Sequence, residues 1–244
     1  MNFKMWFNKK QDVDIEFISI NKDTTNKFPP LPAKQLIPEW YKNLETNCAS
    51  DGLATVKACI PVQDVITSGY IIRNDYETDL KLEQDFEKTG TLMSMHKTSA
   101  KRGKDHVLGH YHRQCPADFG GDKAHYFKYN NDWIIRTPPG YSCLIMHPFW
   151  HMERRYTFFP GIIDTDTYDK PILLTGVQHT RDIVTIAPGD PLVQVIPFKR
   201  DAWKMKTSED LDRSSLMDMF IDRGPVHSAR RLYKKLFHQK KRFD

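Results

Sequence analysis

Between about residues 53 and 205 the chain is a succession of short runs, among them "ATVKACIPV", "SGYIIRND", "TDLKLEQDF", "GTLMSMHK", "AHYFKYN", "DWIIRTP", "SCLIMHP", "PGIIDTD", "KPILLTG", "DIVTIAP" and "PLVQVIPFKR". Each is alternating or β-branched, and each ends in turn residues such as Asn-Asp, Pro-Pro-Gly or Pro-Gly-Asp. Strands this short and this closely spaced bury their apolar sides only by folding onto one another, which calls for an antiparallel sandwich or barrel. With 39% hydrophobic residues in 244, the chain can build one sizeable core with appended arms.

The flanks differ from this middle. Residues 1–45 form a Pro-rich arm in which Pro29, Pro30, Pro32 and Pro38 forbid a long helix and favour extended backbone. "PEWYKNL" fits a short helix opened by Pro38, with Trp40 and Tyr41 as anchors on the core or on a partner. Residues 46–206 form the β-core, and residues 207–244 a basic helical tail. There Ala229, Leu232, Tyr233, Leu236 and Phe237 recur at helical spacing, while Arg230, Arg231, Lys234 and Lys235 occupy the other face. Such a face meets solvent, or a polyanion such as nucleic acid, anionic lipid or an acidic protein. The overall charge of +5, from 36 Lys and Arg against 31 Asp and Glu, is too mild to choose among these.

No apolar run reaches the roughly 18 to 20 residues that cross a bilayer as a helix, and the start "MNFKMWFNKKQ" lacks the continuous apolar segment of a signal peptide. Phe3, Trp6 and Phe7 in that start could dock on a partner or pack on the chain's own core. The cysteines Cys48, Cys59, Cys115 and Cys143 form no C-x-x-C pair. Cys59 and Cys143 sit in apolar runs, where a free thiol behaves as a small buried hydrophobe, so a reducing compartment is expected.

Two groups of residues carry possible chemistry. In "FFPGIIDTDTYDKPILL", residues 158–174, a strand, an acidic turn and a second strand bring Asp164 and Asp166 close together. These carboxylates either orient a water for hydrolysis or accept backbone N–H groups within the turn. In "DHVLGHYHRQ", His106, His110 and His112 share parity, so a regular strand points all three to one side. A His-x-His pair on a barrel strand resembles the start of a cupin metal site and suits Zn, Fe or Ni. No glutamate completes that pattern, and Gly109 interrupts the strand.

A longer resemblance runs through Pro139, Gly140 and Tyr141, then Gly161, Ile162, Ile163, Asp164, Asp166 and Tyr168, then Gly189, Asp190, Leu192, Gln194 and Ile196. In order and spacing these residues resemble the middle of the dUTPase and dCTP-deaminase superfamily. The resemblance implies a dUTPase-like or jelly-roll antiparallel barrel, a tendency to trimerise, and Asp164, Asp166, Tyr168 and Gln194 as the candidate catalytic residues. The chain also departs from that pattern. Where the superfamily holds phosphates with a basic-plus-serine motif, this sequence has "MHPFWHMERR", in which Arg154 and Arg155 are the only cations. The acidic turn is one residue longer, and no glycine-rich closing motif follows Phe198.

Residues 30–205, from "LPAKQLIPEWYKNL" to "QVIPFKRDAW", are also similar to an uncharacterised family of tailed-phage proteins. That similarity implies a viral origin, with the virion or the host cytoplasm as the location and other virion proteins as partners. The combined expectation is a mainly β, non-enzymatic phage protein that is structural or accessory to assembly, self-associating, and without a cofactor. The alternatives are a divergent dUTP- or dCTP-type hydrolase using Mg, or a His-dependent metalloprotein using a transition metal.

Overall fold

The computed structural model describes residues 13–22, 27–80, 107–109, 125–207, 233–235 and 237–244. The expectations at Phe3, Trp6, Phe7, His106, His110, His112, Cys115, Arg230 and Arg231 lie outside the described residues.

The described chain is mainly β, and its strand pairs are antiparallel. In chain order the strands are β1 (Glu16–Ser19), β2 (Leu31–Pro32), β3 (Tyr70–Arg73), β4 (Thr78–Leu80), β5 (Val107–Gly109), β6 (His125–Asn130) and β7 (Trp133–Arg136). They continue with β8 (Tyr141–Met146), β9 (Tyr156–Phe158), β10 (Gly161–Ile163), β11 (Leu173–Gln178), β12 (Val184–Ile186) and β13 (Pro191–Lys199). A five-stranded sheet runs β10-β8-β13-β3-β2 and a four-stranded sheet runs β5-β6-β11-β9, with the pairs β1-β7 and β12-β4 beside them. One apolar cluster joins the sheets: Cys143, Ile145, Val193 and Val195 from the larger meet Phe127, Tyr129, Phe158 and Leu174 from the smaller. Alternation selects these residues, because on β8 Cys143 and Ile145 share a parity that Leu144 and Met146 do not. Gly176 on β11 has no room for a side chain, since a Cβ there would lie 2.6 Å from the Phe127 ring. The core also holds a polar hub. Asn74, fully buried, donates Nδ2–H to the carbonyls of Ile186 (2.8 Å) and Ala187 (3.1 Å), and its Oδ1 accepts from the Tyr129 hydroxyl at 2.6 Å.

Two local expectations are corrected. "ATVKACIPV" is not a strand: it forms a 3-10 turn, Val56–Ala58, and then opens helix α2 (Ile60–Thr67), with Pro61 in the first turn, where its missing N–H costs nothing. Gly69, at φ +69°, ends α2 and passes so close to β13 that a Cβ would sit 2.0 Å from the Val195 carbonyl oxygen. Cys59, expected to be buried, is exposed just before α2, whereas Cys143 is buried. Finally, the two strands flanking the acidic turn in residues 158–174 do not pair with each other. β10 pairs with β8 in the larger sheet and β11 pairs with β6 and β9 in the smaller, so the acidic turn carries the chain from one sheet to the other.

The arm packs against this core through β1 on β7 and β2 on β3. Arg73 donates from Nε and Nη2 to the Pro29 carbonyl and lies over the Phe28 ring. Helix α1 (Glu39–Asn43) follows Pro38 as expected and buries Tyr41. In the tail, Tyr233–Lys235 are helical, with Lys234 and Lys235 exposed. Residues 238–244 lie against α2 and β3: His238 Nε2 and Lys241 Nζ meet the Asp64 carboxylate at 3.1 and 2.5 Å, Phe243 stacks edge-on against Tyr70, and Asp244 pairs with Lys34. Burial alone would raise the Asp64 pKa, but the hydrogen bonds from Lys241 and His238, with the Lys241 charge, bring it below the usual value. Among the described residues no helix is long and apolar enough to cross a membrane.

Candidate functional site

The acidic turn lies at the beginning of β8 and the end of β13. Gly140, at φ +86°, points its N–H at Asp166 Oδ2 (2.8 Å), a backbone direction that side-chain-bearing residues reach only with strain. Arg200, the first residue after β13, donates from Nη1 to Asp166 Oδ1 at 2.8 Å and from Nη2 to Asp166 Oδ2, forming a bidentate pair. The same Nη1 reaches Asp164 Oδ1 at 3.1 Å, the Ser142 hydroxyl at 3.1 Å and the Tyr141 carbonyl at 3.2 Å. The Ser142 hydroxyl donates to Asp164 Oδ1 at 2.7 Å. The Arg200 guanidinium and the Gly140 N–H hold the Asp166 carboxyl down at about 2. The Asp166 side chain is only 5% exposed, whereas that of Asp164 is 62% exposed. Asp166 therefore ties three chain segments together, and Arg200 neutralises charge that would otherwise repel between the two aspartates. Tyr168 stands exposed, with its N–H on the Asp164 carbonyl.

Gln194 lies at the other end of β13 and faces away from the core residues Val193 and Val195. It is 1% exposed. Its Oε1 accepts from the Phe149 N–H (3.1 Å), and its Nε2 donates to the carbonyls of Val65 (2.9 Å) and Ser68 (2.7 Å). The side chain thus joins α2 to the loop after β8 and has no hydrogen-bonding capacity left for a ligand oxygen. The four catalytic candidates do not converge: Asp164, Asp166 and Tyr168 share the turn, while Gln194 is six residues along β13 from Arg200.

Above Gln194, α2 and the loop 147–154 enclose an open cleft of about 600 Å³ lined by Pro61, Val62, Val65, Phe149, Trp150 and Met152, with His147, Glu153 and Arg154 beside them. Trp150 adopts φ +62°, a left-handed conformation that is strained for a tryptophan. It is held there by Trp40 of α1, whose Nε1–H donates to the Trp150 carbonyl at 2.8 Å and whose ring lies 5.9 Å from the Trp150 ring. Trp40 is thereby placed as a positioning residue of the cleft. Behind the cleft wall, His147 accepts the Phe158 N–H at Nδ1 (3.4 Å) and stacks on the Phe158 ring, and its Nε2 is buried without a partner. Burial, reinforced by the neighbouring His151, pulls the His147 pKa down to about 4, so the ring is neutral. Arg155 is committed to Glu153, with Nη2 on Oε2 at 2.6 Å, and Arg154 lines the cleft beyond the far end of β8 from Asp164. Neither arginine supplies a phosphate clamp at the acidic turn. Among the described residues no group of three or more His, Cys, Asp and Glu is placed to hold a metal.

The residues that sequence reasoning missed are Arg200, Ser142 and the cleft itself. The first two had no visible link to the turn because their partners lie 34 and 22 residues away. The cleft did leave a signal: "HPFWHM" concentrates aromatic, proline and methionine side chains without strand alternation.

No family model matches the chain, and no curated protein matches it. The solved structures it resembles include a mutant dUTPase of Staphylococcus bacteriophage 80alpha with dUpNHpp, at 9% identity and a TM-score of 0.38, covering 81% of this chain and 98% of that one. A mutant dUTPase from phage phi11 of S. aureus is 11% identical with a TM-score of 0.37, covering 82% and 99%. EIAV dUTPase is 10% identical with a TM-score of 0.32, covering 59% and 85%.

Proposed function

We propose that this chain is a non-enzymatic phage protein, structural or accessory to the virion or its assembly, which acts through protein contacts rather than nucleotide turnover. The observation that carries this reading is the Arg200 clip. A carboxylate that orients water for attack on a phosphate needs a free lone pair and a cationic partner reserved for the phosphate. Here Arg200 turns Nη1 and Nη2 to Asp164 and Asp166 of the turn and to Ser142 of β8. The open apolar cleft between α2 and the loop 147–154 is the surface that remains for a partner. The sequence similarity to tailed-phage proteins supplies the setting, the virion or the host cytoplasm.

One observation favours the rival reading of a divergent dUTP- or dCTP-type hydrolase: the Asp164 side chain is 62% exposed. A thermal-shift series with dUTP, dCTP and other nucleotides, with and without Mg, separates the two. Ligand at ~100 times its dissociation constant stabilises the native state by about 2.7 kcal/mol, which is several degrees for a chain of this length. The expected result is no shift. A saturable shift that disappears in Asp164→Ala, with the melting midpoint otherwise kept, overturns the reading.

A further inference from the structure

After β13 the chain leaves the sheet as "DAWKMK", residues 201–206, without regular structure. Trp203 is 89% exposed and Met205 87% exposed, more than any other large apolar side chain among the described residues. Lys204 and Lys206 alternate with them. This is not a loose end, because its base is anchored by Arg200, whose side chain holds the acidic turn and whose N–H donates to the Gly140 carbonyl at 2.8 Å. The Arg200 clip thus fixes where this segment, the hook, leaves the sheet, with two apolar side chains held out to solvent.

The same chain carries a matching hollow. Pro61, Val62, Val65, Phe149, Trp150 and Met152 line a cleft of about 600 Å³. That volume suits an indole with a neighbouring thioether, and the aromatic, proline and methionine walls offer such groups stacking and sulfur contacts. The cleft is open and its geometry is preset by Gln194 below and by Trp40 behind.

The hook does not fill its own chain's cleft: Trp203 and Met205 stand 89% and 87% exposed, and the strand running from Gln194 toward Arg200 carries the hook's root about 20 Å from the cleft floor. We infer that Trp203 and Met205 of one copy insert into the α2/147–154 cleft of a second copy. Hook and cleft sit at opposite ends of β13, so the contact is heterologous: copies add head to tail, and the series closes into a ring or runs on as a filament. Beside the cleft Glu153 is already paired with Arg155 and Arg154 carries the same charge as Lys204, so the contact is apolar in origin and only weakly sensitive to salt. The inference deepens the reading of this chain as an assembly protein and rests on it.

The test is sedimentation of the full chain at ~100 μM, a concentration at which contacts of modest affinity are populated, comparing wild type with Trp203→Ser and Val62→Asp. Wild type is expected to associate, and each variant is expected to sediment as monomer. Mixing the two variants should give a discrete heterodimer, since one keeps an intact cleft and the other an intact hook. Trp203 is almost fully exposed in the single chain, so its replacement should leave the melting midpoint unchanged in dilute solution, where wild type is not associated, and keep the test interpretable if Val62→Asp fails to fold. A monomeric wild type, unchanged association in Trp203→Ser, or monomers only on mixing two folded variants overturns the inference. None of these results bears on nucleotide binding, so the non-enzymatic reading stands or falls separately in the thermal-shift series.

Discussion

Replacing Gln194 by methionine tests whether this residue is a bracket or a ligand-binding group. Methionine has nearly the same length and volume, so little cavity is opened and the change removes mainly polar interactions. Three hydrogen bonds are lost, from the Phe149 N–H and to the Val65 and Ser68 carbonyls, at a site that is 1% exposed. At about 1 kcal/mol net for each, the expected loss is about 3 kcal/mol. With a urea m-value of ~3 kcal/mol/M for a chain of this size, the midpoint should fall by about 1 M. Tryptophan fluorescence is a suitable probe, since Trp40 and Trp150 report on the loop that Gln194 holds. A loss below about 0.5 kcal/mol, the range of an ordinary surface substitution, would refute the bracket and return Gln194 to the candidate catalytic residues.

Three further outcomes follow from the geometry. Asp166 has a folded-state pKa near 2, below that of an unfolded aspartate, so its contribution is complete above about pH 4 and is lost as pH falls toward 2. Asp166→Asn should therefore flatten the acid limb of the stability curve between those values, as read by urea midpoints across pH. His147, depressed to about 4, works in a higher window: its stabilisation is complete above about pH 6.5 and declines as pH falls to about 4, because the unfolded chain takes up the proton first. The decline should approach about 3 kcal/mol and should be absent in His147→Phe. Gly69→Ala forces a Cβ to 2.0 Å from the Val195 carbonyl oxygen at φ +69°, and should cost about 2–4 kcal/mol in thermal or urea unfolding.

The β-core was legible because its strands alternate. Cys143 and Ile145 on β8, and Val193 and Val195 on β13, are apolar at every second position for the simple reason that one face of each strand is in the core. Pairing was less legible, since register depends on residues far away in the chain. Residues 158–174 read as strand, turn and strand without saying what each strand pairs with, and β10 and β11 belong to different sheets. Helix α2 was hidden because "KACIPV" is short and apolar, a composition that strand and helix share, and because Pro61 is as acceptable in a first helical turn as at a strand edge. Unseen α2 also concealed the role of Gln194, whose alternation placed it off the core face without revealing that a helix backbone awaited it there. The acidic turn shows the same limit. Asp164 and Asp166 stood out, but the contacts that bear on the proposed structural role come from Arg200, a residue that looks from sequence like an ordinary strand-end cation.

The most direct test of the central claim, that Asp164 and Asp166 form a structural clip, is a turnover measurement. Purified full-length chain is incubated with dUTP and with dCTP in the presence of Mg, and pyrophosphate and phosphate release are followed beside Asp164→Asn. The account predicts release no faster than in buffer for both proteins. Release by the wild type that is abolished in Asp164→Asn, with the melting midpoint of the variant unchanged, would contradict it.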